Sequence, residues 1–318
     1  MNPDLRYLKK LEDIDFQPVF IMGLHRSGTS VLYKMLTSSG CFNPVTVYHL
    51  VKYDQLLDDY ENKTQDNVKK RLTESFRKKG LDDRGIDKLR VSADFAEEYG
   101  FFLDEKSAQT FITKKNASKF NEMCKKITYI SDRKKPILLK NPYDFSNFIY
   151  IKNAFPNAKF VFIHRHPFKV LSSLINAVRV LFEDYNYYAS QISRIYNRLY
   201  ENPLSRYSLK YLTSRLSFFG LMLLCYNSSK FTKYYLKNLK NLPNDCYISI
   251  TYEELCNKPQ QAMENIFSKL KIKPKKTIDY NSFIKPRKTT LDPSVVFLKK
   301  YIYSSMETYC KKFGYNLD

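Results

Sequence analysis

The sequence predicts an α/β fold, with a central parallel sheet and a helical insertion, on three observations. First, four short apolar runs recur at residues 18–24, 136–142, 159–164 and 246–251, each followed by a stretch with helical spacing. Strands that alternate with helices are joined by crossovers and lie parallel. Second, the runs are nearly continuous in apolar residues, the pattern of strands covered on both faces rather than one. Third, the chain of 318 residues is 43% hydrophobic and 27% charged, enough apolar material for a core and too much for a disordered chain.

The elements follow in order. Residues 1–15 form a polar lead-in with a short helix. P-V-F-I-M-G-L at 18–24 is the first strand, and V-L-Y-K-M-L from Val31 has helical spacing behind a tight glycine loop. Residues 52–90 are charged and helical, broken near Gly80 by K-K-G-L-D-D-R-G. Residues 92–125 are expected to be helical, with S-A-D-F-A-E-E-Y as a capped start. P-I-L-L-K-N-P at 136–142 is the second strand, stopped by Pro142, and residues 144–154 are a helix ending at F-P-N. K-F-V-F-I-H at 159–164 is the third strand, and Arg165-His166-Pro167 leads into the helix F-K-V-L-S-S-L-I. Residues 180–240 are helical and crowded with Tyr and Phe. C-Y-I-S-I-T at 246–251 is the fourth strand, followed by Y-E-E-L and a helix to about Leu270. The tail carries K-P-R-K-T-T and a final helix from about Asp292. With no repeat, linker or break in composition, one domain over 1–318 is the expectation, with a core at about 18–270, the insertion at about 180–240 and a C-terminal helical tail.

The net charge is +21, a field that attracts nucleic acid, a phosphorylated cofactor or an anionic membrane surface. Cys41, Cys124, Cys225, Cys246, Cys256 and Cys310 show no C-x-x-C spacing and no neighbouring histidine, so reduced thiols and no metal site are expected. The N-terminus is charged throughout, and the longest near-apolar stretch, 216–226, is too short to span a bilayer. A cytoplasmic protein is the expectation.

Two segments carry anion-binding chemistry. G-L-H-R-S-G-T-S, residues 23–30, has the outline of a phosphate loop. Its two glycines let the backbone curl so that successive N–H groups face an anion, and the helix behind adds partial positive charge. In nucleotide triphosphatases such a loop ends G-K-[S/T]. Here the lysine slot is Thr29, and the cation has moved forward to Arg26, which disfavours an Mg–ATP hydrolase although Ser30 stands where a metal-binding hydroxyl would. The second segment is R-H-P-F-K-V-L-S-S. Arg165 sits at the C-terminal end of a strand, where open α/β sheets bind ligands, and Ser173 lies two turns into the next helix. An arginine fork and a serine can converge there on one phosphate.

In combination the two segments resemble the sulfotransferases that use 3′-phosphoadenosine 5′-phosphosulfate (PAPS). G-L-H-R-S-G-T-S looks like that family's 5′-phosphosulfate loop, and R-H-P-F-K-V-L-S-S looks like its 3′-phosphate site, with the arginine-to-serine spacing intact. L-L-K-N-P, F-P-N-A-K-F-V-F-I-H-R, Y-E-E-L and the acidic S-A-D-F-A-E-E-Y-G-F-F-L are similar to landmarks of its bacterial branch. The resemblance spans about 18–270. It implies a P-loop-like three-layer fold, a PAPS donor and no metal. It places His25, Arg26, Ser27, Gly28, Thr29 and Ser30 around the 5′ end of the donor, and Arg165 and Ser173 at its 3′-phosphate. Three departures stand out. Val31 occupies the place of an aromatic that often follows the loop, Asp144 that of a histidine, and no glycine accompanies Arg287-Lys288, so the tail is left out of the site.

Sulfuryl transfer to a hydroxyl needs a base for the acceptor proton, fixed donors for the spreading negative charge, and both reactants held in line. Glu98 matches the acidic position of the bacterial segment and is the first choice for the base. Glu97 is its neighbour, and on a helix only one of the two could face the cleft. Asp144, His49 and His25 rank lower. Arg26 would stabilise the leaving phosphate oxygen and Lys140, at its strand's end, would contact the sulfonate. The partner implied is a hydroxyl-bearing small molecule or lipid. The aromatic insertion favours a sterol, a lipid or another amphipathic alcohol, and a sugar hydroxyl or a phenol is the alternative. Aromatic amphipathic helices on a basic protein are also compatible with resting on an anionic membrane. A P-loop nucleotide kinase and a basic nucleic-acid-binding module are the rival classes. Charge alone accounts for neither phosphate motif, so no nucleic-acid partner is expected. Oligomeric state is not legible.

Overall fold

The computed structural model describes residues 2–81, 90–103, 109–214, 217–274, 276–284 and 290–317. Its centre is a parallel sheet of five strands, β1 (Pro18–Met22), β2 (Asn43–Pro44), β3 (Ile137–Lys140), β4 (Lys159–His164) and β5 (Tyr247–Thr251). They lie in the order β2-β3-β1-β4-β5. Four are those expected from the apolar runs. The fifth, β2, was not anticipated: two residues, one a proline, carry no strand periodicity, and the pairing exists because the chain returns beside β3.

Every residue of β1 and β3 is buried, and side chains alternate between the faces as strand geometry requires. Phe20, Met22, Leu139, Phe160 and Phe162 point to one face. There they pack in an aromatic layer with Phe120, Phe148 and Tyr235. Val19, Ile21, Leu138, Val161 and Ile163 point to the other, onto the helices Thr29–Ser38 and Pro259–Leu270. Helices on both faces make the three-layer, P-loop-like α/β architecture. The sheet grows from β1 toward β2 and β3 on one side and toward β4 and β5 on the other. The order therefore reverses around β1, and a crevice opens at the C-terminal strand ends. The register sets Ile21 beside Lys140 and Met22 beside Phe162, so the segments leaving β1, β3 and β4 start side by side.

One expectation needs correction. Residues 92–99 are not the start of a helix. A turn at Ala93–Asp94 leads into a short stretch in which Ala96 is bridged antiparallel to Thr46, and the first helical residues are Gly100–Leu103. Tertiary hydrogen bonds override the local preference: Val47 N–H donates to Phe95 O, Tyr48 N–H to Ala93 O, and Glu97 N–H to Val45 O. The next helix is Ala117–Tyr129. The region 180–240 is helical, built as a series of helices. Helix Pro167–Glu183 runs into it, followed by Tyr187–Ile192, Arg194–Glu201, Pro203–Thr213 and Phe218–Asn238. The breaks sit at side-chain caps: Asn186, Ser193 and Asn202 each accept from the backbone N–H three residues on, and Pro203 follows the third. Asp292 caps the helix that begins the tail, accepting from Ser294 N–H. Arg287 and Lys288 lie outside the described residues.

Candidate sulfuryl-transfer site

The loop after β1 turns on two left-handed residues. Gly28 has φ +103° and precedes helix Thr29–Ser38, while Arg26, a non-glycine, has φ +68°. A β-carbon on Gly28 would stand 2.3 Å from the Tyr252 ring, and one on Gly23 would stand 2.6 Å from both Ile163 O and Ser27 Oγ. Both positions are thus closed to any larger residue. At Arg26 the left-handed backbone is one that a non-glycine residue rarely adopts.

There the two motifs meet. Arg26 Nε donates to Ser173 Oγ at 3.0 Å, and an Arg165 terminal nitrogen donates to Arg26 O at 2.9 Å. The Arg165 guanidinium lies 4.4 Å from the centre of the Tyr252 ring, a cation–π support that fixes its plane. Arg165 Nε and Ser27 Oγ are buried with no hydrogen-bond partner among the described residues. Buried donors of this kind are costly unless a group absent from the bare chain accepts from them. A cradle closed to a β-carbon, two orphaned donors and two arginines fit a doubly phosphorylated anion, which is the chemistry of the PAPS nucleotide.

On the other side of β1, Lys140 is 1% exposed at the end of β3. Its Nζ lies 2.9 Å from Glu98 Oε1 and donates to Ser30 Oγ at 3.1 Å. The side chain of Glu98 is 13% exposed. One ammonium thus bridges the phosphate loop and the carboxylate. Glu97 points the opposite way. It is fully buried, accepts from Tyr188 OH in helix Tyr187–Ile192, and takes Glu98 N–H on its own Oε1. His25 packs edge-on against Tyr143 at 4.5 Å, and its Nε2 is buried without a partner among the described residues. Burial pushes its imidazole below the ordinary histidine range; Glu98 opposes the shift, and Lys140 and Arg26 add to it. His25 is therefore neutral at neutral pH.

The lower-ranked bases are occupied elsewhere. Asp144 is fully buried and accepts from Tyr99 OH at 2.6 Å, Asn141 Nδ2 at 2.8 Å, Asn147 Nδ2 at 2.7 Å and Ile112 N–H at 3.0 Å. Burial pushes its carboxyl up while those donors pull it down. It is the knot of a structural network. His49 closes a capping box with Thr46. Sequence reasoning missed Tyr252, Tyr143 and Tyr33, whose hydroxyl lies within hydrogen-bond reach of both Val45 O and Leu138 O. Only Y-E-E-L pointed at one of them. No group of metal-ligating side chains occurs among the described residues.

The fold is a parallel α/β sheet whose glycine loop after β1 meets the Arg165–Ser173 segment after β4 at the point where the strand order reverses. The sequence profile described as the sulfotransferase family matches residues 18–275, and the chain belongs to that family. Among solved structures it is similar to sulfotransferase STF9 from Mycobacterium avium, at 12% identity and TM-score 0.67, over 97% of this chain and 79% of that one. It is also similar to sulfotransferase STF1 from Mycobacterium tuberculosis H37Rv, at 12% identity and TM-score 0.60, over 95% and 80% of the two chains. At such identity these likenesses concern the fold. No curated protein sequence matches.

Proposed function

We propose that this protein moves a sulfuryl group from PAPS to the hydroxyl of an amphipathic alcohol such as a sterol or lipid. The observation that carries the reading is the meeting of Arg26, Ser173 and Arg165. Two motifs almost 150 residues apart are joined by hydrogen bonds of 3.0 and 2.9 Å beside the glycine loop. His25, Arg26, Ser27, Gly28, Thr29 and Ser30 would hold the 5′ end of the donor, and Arg165 and Ser173 its 3′-phosphate. PAPS supplies the activated sulfuryl group. Glu98 takes the proton of the acceptor hydroxyl as its oxygen bonds to sulfur. Lys140, paired with Glu98 and with Ser30, holds positive charge between base and loop, where negative charge spreads during transfer. Arg26 offsets the charge left on the phosphate oxygen. With fixed cations in place the residues require no metal clamp.

The lean toward an amphipathic acceptor is supported by rings near the acidic segment. Tyr143 is exposed beside His25, and the exposed rings Tyr185 and Tyr187 shortly precede Tyr188, which donates to Glu97. A nucleotide kinase is disfavoured by Thr29 in the lysine slot, and a nucleic-acid module leaves the paired motifs unexplained. Incubating the protein with sulfur-labelled PAPS and a panel of sterols, glycolipids, phenols and oligosaccharides tests the reading. Label should pass to amphipathic alcohols. Transfer to oligosaccharides alone would overturn the acceptor assignment, and no transfer to any hydroxyl would overturn the reaction.

A further inference from the structure

Beyond the transfer site, the helices of the insertion carry an outer surface that the fold leaves uncovered. On helix Pro203–Thr213, Leu204, Tyr207 and Tyr211 repeat at three- and four-residue spacing and are exposed, Leu204 to 77%. On helix Phe218–Asn238 the exposed stripe begins with Phe219, Met222, Leu223 and Tyr226 and continues on the same face as Lys230, Lys233 and Lys237. The two helices touch where Gly220 meets Leu212 O, a contact with no room for a β-carbon. Phe297 from the tail, 73% exposed, stacks on Phe218 at 4.8 Å and extends the patch.

We infer that this face docks the protein on an anionic lipid surface, lying in the interface without crossing it. Charge selects the occupant. Residues 185–240 contain nine Lys and Arg and one acidic residue, Glu201. The apolar half of the stripe passes directly into its lysine half, which suits acyl chains beside anionic headgroups. Tyrosine and phenylalanine side by side combine apolar bulk with a polar tip, which suits such a boundary. A second copy of this chain is the poorer fit, because each copy carries a net +21 and would bring its lysines toward its partner's. No helix among the described residues is long and apolar enough to cross a membrane, so docking would be peripheral. It does not depend on which hydroxyl accepts the sulfuryl group.

The test is co-sedimentation of the full chain with vesicles of phosphatidylcholine alone or with about one-third phosphatidylserine, where bound protein should rise about tenfold or more with the anionic lipid and fall with salt. Phe219→Ser with Leu223→Ser, and separately Lys230→Gln, Lys233→Gln and Lys237→Gln together, should each cut binding about fivefold or more while adenosine 3′,5′-bisphosphate binding is retained. The chain has no Trp, so Tyr226→Trp adds a single indole reporter whose emission should shift to the blue on anionic vesicles. Equal binding to both vesicle types, or an indole emission that does not move, would overturn the inference. So would a native dimer that the apolar pair of substitutions turns into a monomer, or binding to duplex DNA that only the lysine substitutions weaken.

Discussion

At the scale of single residues, the proposed base Glu98 sits against a cation, Lys140. Glu98→Gln keeps the shape of the side chain beside Lys140 and removes its capacity for a proton. Turnover should fall about 100-fold or more while adenosine 3′,5′-bisphosphate still binds. Normal turnover in that variant with a loss in Glu97→Gln would move the base by one residue. Arg165→Ala should weaken adenosine 3′,5′-bisphosphate and leave AMP nearly unchanged, which calorimetric titration of both ligands would check. Arg26, Arg165 and Ser173 stand out in the sequence only when the two motifs are read together, and in the fold they are joined by hydrogen bonds. Tyr252 and Tyr143 were not. In a chain with 26 tyrosines, nothing local distinguishes the ring that braces Arg165 from one that packs a helix. Their roles exist only once β5 and β3 bring them to the loop.

At the scale of elements, the insertion and the acidic segment hold each other in place. The Glu97 carboxylate is buried and accepts from Tyr188, so helix Tyr187–Ile192 is tied to the strand-like stretch that presents Glu98. Tyr188→Phe removes one donor from a buried carboxylate and should cost about 1–3 kcal/mol in denaturant unfolding. It should lower kcat and leave bisphosphate affinity near the native value, because the donor loop is untouched. A loss of bisphosphate binding instead would mean that the segment supports the whole site. The loop is the stiffer element. Gly28→Ala meets both the positive φ and the Tyr252 ring, and should lose ligand binding along with about 1–3 kcal/mol of stability. The helix expected at 92–99 shows what sequence cannot supply. Its residues favour a helix locally, yet three backbone hydrogen bonds to residues 45–48 keep it out of a helix, and those partners lie about fifty positions away.

At the scale of the whole molecule, the four apolar runs marked four of the five strands because a strand covered on both faces has to be apolar throughout. The short β2 has no such constraint and was invisible. All four histidines are pushed below the ordinary histidine range, by burial first in each case: His25, His49 (to about 3), His164 and His166. A histidine neutral in the fold and titrating at about 6.5 when unfolded binds more protons unfolded, so stability falls as pH drops below that value. Each adds up to about 1.4 kcal/mol per pH unit over the range between its two pKa values. His164 stacks on Phe313 at 4.0 Å and meets Tyr309 OH, with Lys312 adding to its shift. His164→Phe should therefore flatten the stability–pH slope between about pH 6 and 5 by roughly that amount. A slope unchanged from the native protein would mean that His164 titrates in the fold as it does in the unfolded chain.

In the proposed function, the loop after β1 and the helix after β4 together bind a nucleotide phosphorylated at both its 3′ and 5′ positions. Thermal unfolding with adenosine 3′,5′-bisphosphate, without metal, against ATP with magnesium tests it most directly. At about a hundredfold excess over its dissociation constant, the bisphosphate should stabilise the native state by about 2.7 kcal/mol and raise Tm by several degrees. Magnesium–ATP should do much less, and Arg165→Ala should abolish most of the bisphosphate shift. Greater stabilisation by magnesium–ATP, or no shift with the bisphosphate, would contradict the account.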